Sequence, residues 1–139
     1  IVAELAVILT PDLEEKRLTL RIEATSDITQ LQADRELLRQ ALFNLIQNAA
    51  AFAPEGDTIT ISVVGEPGGH CRVDVADHGP GVPPESVPSL FTPYFTTRST
   101  GTGLGLAIIR RIASAHGWEA VYRPGPDGGA VFSLQGIHV

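Results

Sequence analysis

The chain of 139 residues contains no methionine and a single cysteine, Cys71. One cysteine excludes an internal disulfide, and the low count fits a reducing compartment. Cys71 lies in an alternating pattern, where a buried structural thiol is expected. The absence of methionine, at Ile1 included, suggests a segment excised from something longer. No apolar run approaches the roughly 20 residues that a membrane span needs. Ile1 to Thr10 carries Glu4 and no basic lead-in, so no secretory signal is expected either. Basic residues are few: 10 Lys and Arg stand against 16 Asp and Glu, a net charge of -6. That balance excludes broad contact with nucleic acid or an acidic membrane surface. A small anionic ligand stays compatible with it, because backbone amides and a few arginines can hold one locally.

What is present suits one compact domain. Hydrophobic residues make up 43% of the chain and charged residues 19%, too apolar for a disordered segment and sufficient for a single core. Leu5, Ile8 and Leu9 have helical spacing that Pro11 interrupts, so a short lead-in helix is expected before Lys16. Leu18, Leu20 and Ile22 alternate with polar residues, the mark of a strand with one buried face, and a second short strand is expected over 28–32. Asp34 suits the cap of a long helix, whose core stripe is Leu37, Leu38, Ala41, Leu42, Leu45, Ile46 and Ala49 and whose end is set by Pro54 and Gly56. A hairpin follows, with Ile59, Ile61 and Val63 on one arm, Cys71, Val73 and Val75 on the other, and Pro67-Gly68-Gly69 between them. From Pro80 to about Thr102 regular periodicity is lost, and an irregular stretch of that length is usually functional or disordered. A second helix carries Leu104, Ile108, Ile112 and Ala115 on one face and meets Gly117 as its stop. Trp118 to Tyr122 and Ala130 to Leu134 form a closing hairpin around Asp127-Gly128-Gly129. The expected fold class is α+β: a two-layer sandwich, a mixed and mostly antiparallel sheet with helices on one face, and a mobile lid.

Four clusters carry chemistry. Asn44 and Asn48 lie four residues apart on one helical face, with Gln40 a turn earlier, away from the leucine stripe. Amide oxygens are hard ligands that suit magnesium, although two such asparagines also suit a plain solvated strip. Asp77-His78-Gly79-Pro80-Gly81 ends a strand. Its glycines permit a tight turn and close backbone approach, and its carboxylate can accept from an exocyclic amine such as that of adenine. By itself Asp-x-Gly-x-Gly is equally an ordinary strand-ending turn. Leu90 to Arg98 places Phe91, Tyr94 and Phe95 in a polar loop, where they can anchor it and leave Arg98 to meet a phosphate or simply water. Gly101-Thr102-Gly103-Leu104-Gly105-Leu106 runs into the second helix, where free amides and the helix dipole favour an anion. It has neither the Gly-x-Gly-x-x-Gly spacing of a dinucleotide fold nor the Gly-Lys-Ser/Thr of a Walker loop, and alone it suits a hinge.

In this order the four clusters resemble the GHKL superfamily of gyrase, Hsp90-type chaperones, histidine kinases and MutL, and are most similar to the histidine kinases. Asn44 to Ala49 looks like the N box, Asp77 to Gly81 the G1 box, Leu90 to Phe95 the F box and Gly101 to Leu106 the G2 box. Arg39-Gln40, the run Ala107 to Gly117 and the final Gly-Gly-Ala-Val-Phe extend the likeness over nearly the whole chain. The resemblance implies a Bergerat-fold domain over 1–139, with an ATP lid at about 80–102, that binds ATP and Mg2+. Asn48 is then the magnesium ligand, with Asn44 supporting it or the phosphates. Asp77 reads the adenine amine, Phe52 packs on the adenine, and Gly79, Gly81 and Val82 complete that side. Gly101, Thr102, Gly103, Leu104, Gly105 and Leu106 cradle the triphosphate, and Arg98 meets its end. Two positions depart from the pattern. Ala51 stands where many kinases have a lysine, and His78 where asparagine is common, read as a tolerated surface or supporting change.

Superfamily members that hydrolyse ATP have a glutamate base at the position of Asn44. An amide cannot take a proton from water, so this chain is expected to hold ATP and deliver its γ-phosphoryl group elsewhere. The family's acceptor is a histidine followed by glutamate on a dimerisation helix, and none of His70, His78, His116 and His138 has that neighbour. His116 is expected as a favourable charge at a helix end. The expected partners are the dimerisation and phosphotransfer domain of the same kinase and, through the full-length protein, a response regulator. The fragment is expected to be monomeric and cytoplasmic, the parent a homodimer, with anchorage of the parent in the inner membrane left open. An anti-sigma-factor-type serine kinase, which lacks a comparable F box, and a nucleotide-sensing module without turnover are the competing readings.

Overall fold

Asp34 starts the longest helix as the sequence leads one to expect. In the computed structural model, which describes residues 2–24, 33–92, 105–126 and 128–138 (the side chains of 2–4 and 24 excepted), its carboxylate accepts from the Leu37 amide at 3.1 Å. Such a cap contributes about 1 kcal/mol. The expected strand over 28–32 lies outside the described residues.

The elements run α1 (Val2–Ile8), α2 (Thr10–Glu15), β1 (Thr19–Ala24), α3 (Arg35–Phe52), β2 (Thr58–Glu66), β3 (His70–Asp77), a 3-10 turn (Pro84–Ser89), α4 (Gly105–His116), β4 (Glu119–Pro124) and β5 (Ala130–His138). Pro11 does not end a helix. It sits in the first turn of α2, where its missing N–H is not needed, so the lead-in is two helices. Leu5, Leu9 and Leu13 from this pair are buried in the core.

One five-stranded sheet has the order β1-β2-β3-β5-β4. β1 is parallel to β2, and the other pairs are antiparallel. This is the expected mixed, mostly antiparallel sheet. Alternation sends Ile59, Ile61, Val73, Val75, Phe132 and Leu134 into the core shared with Leu42, Leu45, Ile46 and Ala49 of α3 and Ile109, Ile112 and Ala113 of α4. Cys71 is fully buried among them, and burial pushes its thiol above the ordinary range, as a structural cysteine requires. β5 continues past Leu134 to His138. The register shifts between Cys71 and Val73, and Gly136 adopts φ +81 there, a bulge that the sequence disguises as a strand end.

Helix α4 ends in a full Schellman turn: Gly117, at φ +74, donates to Ser114 O at 3.2 Å and Trp118 donates to Ala113 O at 2.8 Å. His116 lies in the last turn of α4, the helix end where it is expected, and its ring is tied to its neighbours. One ring nitrogen bonds Ile112 O at 2.9 Å, the other accepts from the Asp34 amide at 3.2 Å, and the ring stacks on Trp118. The ring thus joins the end of α4 to the start of α3. Among the described residues no helix is long and apolar enough to cross a membrane.

Candidate functional site

Strand β3 buries two aspartates of opposite fate. Asp74 points away from the helices and all its acceptors are used: Oδ1 receives Arg72 Nε at 2.9 Å and Ser133 Oγ at 2.6 Å, and Oδ2 receives an Arg123 nitrogen at 2.9 Å. Asp77, two per cent exposed, ends the same strand on the helix side. Its Oδ1 accepts from the Gly79 amide at 2.8 Å, while Oδ2 is buried without a hydrogen-bond partner among the described residues. Burial drives the Asp77 carboxyl above the ordinary aspartate range; the Gly79 amide opposes this, the charge of Asp57 adds to it, and His78 and the Ala130 amide oppose it more weakly. A buried acceptor left unmade costs about 1–3 kcal/mol, which marks it as a place for a ligand donor.

The turn after Asp77 is moulded onto its neighbours. A Cβ at Gly79 would overlap the carbonyl oxygen of Phe52, so the turn lies directly on the end of α3. A Cβ at Gly129 would overlap the carbonyl oxygen of Asp77, which brings the β4–β5 turn against the other side. Gly81 adopts φ +75, and a Cβ there would press on Gly129 O at 3.1 Å. The Val82 amide donates to the Tyr122 hydroxyl at 3.2 Å.

The structure therefore brings Phe52, Asp77, Gly79, Gly81 and Val82 together at one end of the sheet. Asn44, Asn48 and Phe52 follow one another along α3, all half-buried. The Asn48 Nδ2 is likewise buried without a partner among the described residues, a second polar atom with unused capacity. Gly105 opens α4 where a Cβ would stand 3.7 Å from Asn44 Oδ1, so the last glycine of the Gly-rich run reaches the asparagine face. Leu106 follows, half-buried against the core. Arg98, Gly101, Thr102, Gly103 and Leu104 lie outside the described residues, as do Tyr94 and Phe95. Of the aromatic loop, Leu90 is buried and Phe91 meets Phe132 edge-on at 6.3 Å, so the loop's root is anchored in the core.

Three supporting residues escape sequence reasoning. Tyr122 reads only as a strand residue, Lys16 only as the end of a lead-in, and Asp57 carries no signal of its own. Gly129 alone had a local signal, in Asp127-Gly128-Gly129.

Comparison with known proteins gives a consistent result. Residues 33–137 match the family described as histidine kinase-, DNA gyrase B-, and HSP90-like ATPase. The sensor histidine kinase ZraS of Salmonella typhimurium is 38% identical over 130 residues, covering 91% of this chain and 27% of that protein. The adaptive-response sensory kinase SasA of Rippkaea orientalis is 34% identical over 123 residues, covering 86% of this chain and 32% of that protein. The chain thus spans about a third or less of the curated relatives it matches. A nucleotide-free catalytic domain of the histidine kinase ThkA superposes with a TM-score of 0.85 at 30% identity, covering 99% of this chain and 91% of that one. Full-length ShkA in complex with AMPPNP superposes with a TM-score of 0.85 at 30% identity, covering 99% of this chain and 29% of that one.

Proposed function

Because the chain belongs to the histidine kinase-, DNA gyrase B-, and HSP90-like ATPases, on the branch of the sensor histidine kinases, we propose that it is an ATP-binding catalytic domain that passes the γ-phosphoryl group to a histidine on a separate dimerisation domain. The observation that carries this reading is the unpartnered Oδ2 of Asp77, buried beside a glycine turn seated on the end of α3. A carboxylate so placed accepts from the exocyclic amine of adenine and repels the carbonyl that guanine presents at the same position.

The remaining roles follow the same frame. Phe52, whose backbone supports Gly79, packs on the adenine, with Gly81 and Val82 bordering it. Asn48 holds Mg2+ through its amide oxygen, with Asn44 supporting the metal or the phosphates. No group of three or more His, Cys, Asp or Glu among the described residues could hold a metal ion, so the ion would lean on the nucleotide's phosphates and on water. The metal supplies charge neutralisation between the phosphates. Gly101 to Leu106 cradle the triphosphate, Arg98 meets its end, and the whole of 1–139 forms one domain with a lid at about 80–102. Phe91, rooted on Phe132, favours this reading over an anti-sigma-type serine kinase. ThkA has been seen in complex with the response regulator TrrA, and a regulator is the expected final acceptor here, served from the cytoplasm through a longer protein.

Calorimetric titration with Mg-ATP tests the proposal on the wild type and on Asp77→Asn. The variant should bind about 10- to 100-fold more weakly, the worth of one hydrogen bond to a charged group. A folded wild type that binds no ATP would withdraw the reading.

A further inference from the structure

The two amides that follow Asp77 are held by two different carboxylates. The Gly79 amide donates to Asp77 Oδ1 at 2.8 Å. The His78 amide donates instead to Asp57 Oδ2 at 2.9 Å, and the His78 ring nitrogen Nδ1 meets Asp57 Oδ1 at 2.7 Å. Asp57 stands in the loop between α3 and β2, and its side chain is only 7% exposed. It is itself fastened on every side. Oδ1 accepts from the Thr58 amide at 2.8 Å, its own amide donates to Pro54 O at 3.1 Å, and its carbonyl accepts from Thr19 at 3.0 Å.

We propose that Asp57 is the residue that gives the site its selectivity for a 6-amino purine, by bracketing His78 and so reserving Asp77 Oδ2 for the ligand. The inference rests on the ATP-site reading above and deepens it. The His78 amide and ring are the donors nearest to Asp77 in sequence, and both are taken up by Asp57. With them engaged, the Asp77 carboxylate has one oxygen accepting from Gly79 and the other, Oδ2, buried without a hydrogen-bond partner among the described residues. Without Asp57 the His78 amide loses its acceptor, and the turn can relax until His78 competes for Oδ2. A fixed acceptor discriminates between ligands because its orientation is set before binding; a mobile one satisfies itself locally. The His78 side chain is 51% exposed, so it closes the solvent side of the bracket. Asp57 is therefore a positioning residue and touches no nucleotide.

The test compares two ligands on the 139-residue chain, each with Mg2+: ATP, and the nucleoside triphosphate of unsubstituted purine, which lacks the 6-amine. Asp57→Ala should weaken ATP roughly tenfold, the size of one misplaced hydrogen bond, and leave the unsubstituted analogue within about twofold. Asp57→Asn, which keeps one acceptor oxygen for the His78 amide, should fall between Asp57→Ala and the wild type. His78→Asn, which keeps the backbone amide, should retain at least half of the selectivity. Circular dichroism establishes which variants are folded, and Asp57→Asn carries the test where Asp57→Ala is not. Equal weakening of both ligands would reduce Asp57 to a structural tie and overturn the inference, as would unchanged ATP affinity in folded Asp57→Ala or Asp57→Asn. A wild type that binds neither ligand would sink the ATP-site reading itself, a failure distinguishable from the other two.

Discussion

Asp77 is held in the fold against its own preference for water. Its carboxyl lies above the ordinary aspartate range mainly because it is buried, with the charge of Asp57 adding to that. A carboxyl raised in the folded state contributes stability that is fully present below its unfolded value and is lost as pH rises through the folded one. Above that raised value the ionised side chain is thus a liability that the Gly79 amide offsets only in part. Asp77→Asn should consequently be at least as stable as the wild type in denaturant at pH 7 without nucleotide, although it binds ATP far less well. The gap should close as pH falls into the ordinary aspartate range, where both side chains are neutral. A wild type more stable than the variant by over about 1 kcal/mol at pH 7 would show that ionised Asp77 is not strained in this way. ATP affinity should also fall as the solution is acidified through the raised Asp77 value, because a protonated carboxyl surrenders an acceptor. Asp74 gives the internal contrast: also buried and three residues earlier, it has both oxygens engaged by Arg72, Arg123 and Ser133.

Helix α3 carries Asn44, Asn48 and Phe52, yet it has no basic residue in its own last turn. Its terminal carbonyls are served from outside. Lys16 Nζ donates to Ala50 O at 3.0 Å, Ala51 O at 2.9 Å and Ala53 O at 2.9 Å, putting a cation on the negative end of the helix dipole. Lys16→Met keeps the apolar stem and removes the charge. It should lower the unfolding free energy by about 1–3 kcal/mol, measured in urea, with Lys16→Arg recovering part of the loss. A Met variant within about 0.5 kcal/mol of the wild type would show that water serves those carbonyls equally well. The tie also shows what the sequence could express. The body of α3 was legible because Asp34, the leucine stripe, Pro54 and Gly56 are local signals of start, face and stop. The β2–β3 hairpin and the end of α4 at Gly117 were legible for the same reason. A cap that reaches 34 residues along the chain leaves no periodic trace, nor does the Asp57–His78 bracket or the Tyr122 hydroxyl under Val82. Pro11 misled because proline breaks a helix in its middle and begins one at its first turn, and spacing alone does not say which. Asn44, Asn48, Asp77, Gly79 and Gly81 were legible as candidates because their boxes keep a fixed order. How Asp77 is aimed was not, since that depends on residues distant in sequence.

At the scale of the molecule, the sheet separates the site from most of its histidines. Asp77 ends β3 and His70 begins it, so seven steps of about 3.3 Å each put roughly 23 Å between them. His138 pairs with His70 at that far end, with ring centroids 4.5 Å apart. His116 closes α4, whose first residue Gly105 faces Asn44, so about 17 Å of helix lies between it and the phosphate end of the site. His78 alone is near, and its Nδ1 is engaged by Asp57. Phosphoryl transfer needs the attacking nitrogen in line with the γ-phosphorus at contact distance, which the far placement of His70, His116 and His138 and the engagement of His78 with Asp57 both disfavour. The Asn44 side chain is an amide, which cannot take a proton from water, so it offers no base either. The 139-residue chain, incubated alone with Mg-ATP labelled in the γ-phosphate, should accumulate no acid-labile phosphate and release phosphate no faster than a buffer control. Adding a separate helical hairpin that bears an accessible histidine should move the label onto that hairpin, provided the two proteins dock. Stoichiometric acid-labile label on the chain alone would mean that one of its own histidines reaches the nucleotide, by a domain motion or from a second copy. Rapid phosphate release would mean that some base other than Asn44 activates water.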